Sequence, residues 1–81
     1  MKMKAHYCVF EIPVFETLQV CEPVFVCLTM EEAIAYTAEE YGELGVFHQR
    51  VYIESVDGDG VVLRVYGPEE IRDLMRKAVR E

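Results

Sequence analysis

The chain contains no asparagine, a single serine (Ser55) and, between Ala5 and Gln49, no lysine or arginine. Each absence removes a class of function. Ser55 lies within an alternating strand pattern without the flanking glycines of a nucleophile elbow, so serine-hydrolase chemistry has no seat. A first half without cations argues against direct binding to a nucleic-acid backbone, which needs clustered lysine and arginine. Apolar runs stay short of the roughly eighteen residues that a membrane-crossing helix requires. The amino-terminal stretch is broken by His6, Glu11 and Pro13, which reads as a strand rather than a signal peptide. A cytosolic location is therefore the expectation. Glycine-rich phosphate loops are missing too.

Soft ligands are few. Cys8, Cys21, Cys27, His6 and His48 show no CxxC or HxxxH spacing, and the Cys21–Cys27 interval is wider than the usual zinc-ligand pair. An odd number of cysteines without an export signal predicts reduced, buried thiols. Asp57-Gly58-Asp59-Gly60 has the opening of a calcium loop, but Val61 stands at the next ligand position and no closing glutamate follows; a turn is the expectation. No metal site, cofactor or catalytic constellation is expected.

What is present is apolar surface and acid. The 81 residues are 52% hydrophobic with a net charge of −7, enough for one domain near the lower limit of a self-sufficient core. Eight glutamates crowd the cation-free half, whereas six basic and seven acidic residues nearly balance from Arg50 to Glu81. The negative field belongs to the first half. The Val, Glu, Arg and Tyr content with no Asn has the bias of a thermophile or of a GC-rich genome.

Periodicity gives the elements. Val24–Leu44 reads as a strand entering an amphipathic helix. Thr29 is the N-cap, and Glu32 completes a capping box. Met30, Ala33, Ile34, Thr37, Ala38, Tyr41 and Leu44 form its apolar stripe, and the helix ends near Gly42 or Gly45, either of which can take the left-handed C-terminal conformation. Strands are expected at Ala5–Ile12, Leu18–Leu28, Phe47–Val56 and Val61–Tyr66, with a hairpin turn at Asp57–Gly60. A second helix starts at Pro68 and buries Ile71, Leu74, Met75 and Ala78. The result is one α+β domain, residues 1–81, of order ββαββα, its two halves spanning about 5–44 and 46–81. Two helices on one face of a four-stranded sheet, in the order 1-2-4-3, would be the ferredoxin-like order begun one strand early.

Two surfaces stand out. Glu31, Glu32, Glu39, Glu40 and Glu43 occupy the polar side of the first helix, a docking face for a basic partner. If Val51, Ile53, Val61, Leu63 and Val65 face the helices, the open sheet face presents His48, Arg50, Tyr52, Arg64 and Tyr66 as a contact surface. The expected function is a non-enzymatic, self-associating interaction module, a homodimer. One alternative is an acidic inhibitor of a nucleic-acid-binding host protein; another is a small-molecule-binding module using the open sheet face.

The segment Phe25–Asp57, with Thr29-x-Glu31-Glu32-Ala33-x-x-Tyr36 at its centre, resembles a strand–helix–strand pattern of small uncharacterised phage and prokaryotic proteins. The resemblance implies a phage-type accessory or inhibitor role and carries over no catalytic residue.

Overall fold

A computed structural model describes residues 4–12 and 22–80. The elements run β1 (His6–Phe10), β2 (Phe25–Cys27), α1 (Met30–Glu40), α2 (Gly42–His48), β3 (Tyr52–Val56), β4 (Val62–Tyr66) and α3 (Pro68–Arg80). The expected Leu18–Cys21 part of the second strand lies outside the described residues.

The sheet order is β2-β1-β3-β4, not 1-2-4-3, and every pairing is antiparallel. The permuted ferredoxin-like arrangement is therefore not present. Because β1 runs against both neighbours, β2 and β3 are parallel to each other, with β1 between them. A chain leaving β2 must cross over β1 before it can enter β3, and α1 with α2 makes that crossover. Residue burial explains the choice. Val9 on β1 and Ile53 on β3 are wholly buried, whereas Val24 and Val26 are exposed. The strand with an apolar character on both faces thus lies at an edge, and β1 takes the centre.

The helix count is three rather than two. The capping box forms as expected: the Thr29 side chain accepts from the Glu32 amide, and the Glu32 carboxylate accepts from the Thr29 amide. Ala33, Ile34 and Thr37 then point into the core. At Gly42 the backbone turns to φ 73°, a conformation that glycine adopts freely. The first helix ends there, at one of the two glycines expected to stop it, so the stripe closes at Tyr41. Leu44, expected to be buried, is 87% exposed. A second helix occupies Gly42–His48, taking Phe47 and His48 from the expected third strand, which starts only at Tyr52, and turns Val46 inward.

This second helix closes in a Schellman motif. The Val51 amide donates to the Val46 carbonyl and the Arg50 amide to the Phe47 carbonyl, and Val46 and Val51 are both fully buried, the apolar pair that accompanies such a cap. Arg50 holds the left-handed position at φ 53°, where glycine is usual.

All helices pack against one sheet face. Val9, Val46, Val51, Ile53, Ile71, Ala33, Ile34, Cys27 and Met75 make the main core. On the reverse face Cys8, Phe10 and Val56 form a smaller cluster with Tyr52, whose ring stacks on Phe10 at 4.9 Å.

Strand β4 is turned over relative to expectation. Tyr66 pairs with Ile53 and packs against the main core, and Arg64 reaches Glu70 on α3. Val61, Leu63 and Val65 are left 50–63% exposed. The cause is the bulge between Ser55 and Val56, opposite Val62–Arg64, since a one-residue shift in register exchanges the two faces of a strand. The turn itself is as expected: Asp57 Oδ1 accepts from the Asp59 and Val61 amides, and Gly60 sits at φ 85°.

The left-handed site at Arg50 makes a direct prediction. Arg50→Asn is tolerated, whereas the β-branched Arg50→Val destabilises the fold by about 1–2 kcal/mol, read as a lower urea midpoint at unchanged slope. Equal midpoints for the two variants would refute the cap assignment.

Candidate functional site

The five helix glutamates do not form one free acidic face. Glu32 is spent on the cap: its Oε1 accepts from the Leu28 amide, the Thr29 amide and the Thr29 hydroxyl, each at 3.2 Å. Glu43 lies on α2 and receives a two-nitrogen contact from Arg76 of α3, with Nη2 at 3.0 Å. The Arg76 hydrogen bond holds the Glu43 carboxyl below its usual range, and the same contact raises Arg76. Glu31, Glu39 and Glu40 remain exposed and form no ion pair among the described residues. The break at Gly42 is what separates Glu43 from the rest.

The five sheet-face residues also divide. Tyr52 lies on the reverse face, stacked on Phe10. Arg64 and Tyr66 lie on the helix side, where the guanidinium sits 4.5 Å from the centre of the Tyr66 ring. His48 ends α2, and Arg50 forms its cap. What the structure exposes instead is aliphatic: Val61, Val62, Leu63 and Val65 at the hairpin and along the edge strand β4. The Val61-Val62-Leu63 run was the available sequence signal, because three successive apolar residues cannot all face one side of a strand.

A second apolar surface went unread in the sequence. Helices α1 and α3 leave between them a groove of about 500 Å³, floored by Met30, Ile34, Ala35, Ala38, Leu74, Met75 and Ala78. Glu31 borders it on the α1 side and Lys77 on the α3 side. Its lining is almost wholly apolar, and alanines make it accessible.

An aromatic cluster ties the crossover to the sheet. Phe25 and Tyr36 stack with centroids 4.2 Å apart, and Tyr41 meets Tyr36 edge-on. The Tyr41 hydroxyl donates to the Glu11 carboxylate beyond the end of β1. Burial, first, and then this bond to Glu11 push the Tyr41 phenol far above its ordinary value.

Cys8 and Cys27 show no activation. Burial raises Cys8 and Cys27, with the charges of Glu54 and Glu32 adding to it respectively, and Cys27 donates to the Thr29 carbonyl at 3.3 Å. A nucleophilic cysteine needs the opposite shift. Among the described residues no three His, Cys, Asp or Glu side chains converge as metal ligands, and no helix is long and apolar enough to cross a membrane. Comparison with protein-family models, curated proteins and solved structures finds no match.

The Tyr41–Glu11 bond predicts an alkaline dependence of stability. The unfolded chain ionises its tyrosines near the ordinary value of about 10, while the folded chain keeps Tyr41 protonated to higher pH. The stabilisation is intact below about pH 10 and is lost as pH rises through the folded value. Tyr41→Phe should flatten this alkaline decline in urea unfolding measured between neutral pH and pH 11. A variant that declines as steeply as the parent would refute the assignment.

Proposed function

We propose that this chain acts without catalysis, as a small protein-interaction module that associates with itself. The observation that carries the reading is the apolar surface left outside the core, which comprises the α1–α3 groove and the β4 residues Val61, Val62, Leu63 and Val65, each of these four 45–63% exposed. Contiguous apolar surface on a small protein is characteristic of a contact site. The β2–β1–β3–β4 sheet has a short three-residue edge at β2 but a five-residue edge at β4. That longer edge has no lysine or proline, but Arg64 and the bulge blunt it against backbone pairing.

A second reading is supported by Glu31, Glu39 and Glu40, whose unneutralised charge suits a basic protein partner. An inhibitor that occupies the cationic surface of a nucleic-acid-binding protein would use the same three carboxylates. Its demand on the molecule is smaller than first expected, since Glu32 and Glu43 are already engaged.

Light scattering over a wide concentration range, at low and high salt, tests self-association. A mass of two chains at both salt strengths is expected; a single-chain mass at every concentration would overturn the reading. Glu39→Lys with Glu40→Lys should leave that mass unchanged while removing salt-sensitive binding of a lysine-rich probe peptide.

A further inference from the structure

We infer that the groove between α1 and α3 is the surface on which two copies of this chain join, an inference that rests on the self-association proposed above. Two apolar surfaces compete for that role, and their chemistry separates them. A second β4 pairing antiparallel along the free edge would need a regular row of backbone groups. The edge is interrupted by the bulge opposite Ser55 and Val56. Centred on the strand, such pairing also sets Arg64 against its own copy, like charge directly opposite like charge.

The groove has no such conflict. Its floor is Ile34, Ala35 and Ala38 from one helix and Leu74, Met75 and Ala78 from the other, and its two rims carry opposite charges, Glu31 and Lys77. A two-fold axis running along the groove lays α3 of the second copy over α1 of the first, and α1 over α3. Each Lys77 then meets the opposing Glu31, twice in one interface, so the surface is its own complement. The alanines matter here: with Ala35, Ala38 and Ala78 at the contact, helices approach to the short end of the usual 8–10 Å separation, about 8 Å. The four helices would lie between two outward-facing sheets. That arrangement leaves β4, and the outer carboxylates Glu39 and Glu40, available to other partners.

The test is a charge exchange on the full chain, followed by sedimentation equilibrium with circular dichroism to verify folding. Glu31→Lys alone and Lys77→Glu alone should each weaken the dimer about tenfold, because each change sets two like-charged pairs in place of two opposite ones. The double variant Glu31→Lys with Lys77→Glu should restore parental affinity, an outcome that a merely structural role for either residue does not produce. Single variants that dimerise like the parent, or a double variant weaker than both, would overturn the groove. If Leu63→Asp with Val65→Asp dissociates the dimer while the groove variants do not, self-association stands and the groove assignment falls. A parent that is monomeric throughout removes both.

Discussion

Strand β1 is hydrogen-bonded along both edges, to β2 on one side and β3 on the other, and most of the architecture follows from that demand. Backbone amides and carbonyls in the middle of a sheet have no water to bind, so both neighbours must be supplied. β2 arrives by the local connection. β3 can arrive only after the chain has crossed over β1, and the α1–α2 pair is the covering layer of that crossing. Val9, buried completely, meets the inner sides of these helices. Its alternate neighbours Cys8 and Phe10 are buried on the reverse face.

The crossover works because it bends. A single straight helix from Met30 through His48 would carry Val46 away from the sheet. The break at Tyr41 and Gly42 and the Schellman closure at Arg50 return the chain so that Val46 and Val51 enter the main core together. Polar contacts then brace the bend from two sides: Arg76 of α3 grips Glu43, and Tyr41 is tied to Glu11. The first of these is exposed and contributes orientation more than energy. The second is partly buried and is the better anchor. Geometry at the bend also disperses the acidic face, because it removes Glu43 from the α1 surface while the N-terminal cap consumes Glu32.

The exposed chemistry is correspondingly simple. Cys8 and Cys27 are buried, with their thiol pKa values raised, and the accessible surfaces include an aliphatic edge and an alanine-lined groove. The interaction module proposed above would use those surfaces through shape, apolar area and rim charge.

Local rules were legible in the residues themselves. The Thr29–Glu32 capping box, Pro68 opening α3, the Asp57–Gly60 turn, and the alternation that sends Val9 and Ile53 one way and Phe10 and Tyr52 the other all depend on neighbours a few positions apart. Charge asymmetry was equally plain, and it identified the carboxylates Glu31, Glu39 and Glu40 as exposed. Strand order, the second helix that follows the stop at Gly42 and the face of β4 were decided only by tertiary structure. Order depends on which strands satisfy each other's backbones across long separations, and apolar content alone ranks β2 above β1 wrongly. A glycine within a helical pattern can cap, kink or be tolerated, and only packing of Val46 selects the break. The β4 reversal hangs on one extra residue in a bulge, which a period-two pattern cannot register. The α1–α3 groove belongs to neither helix: it exists because two helices distant in sequence both present alanine where they meet.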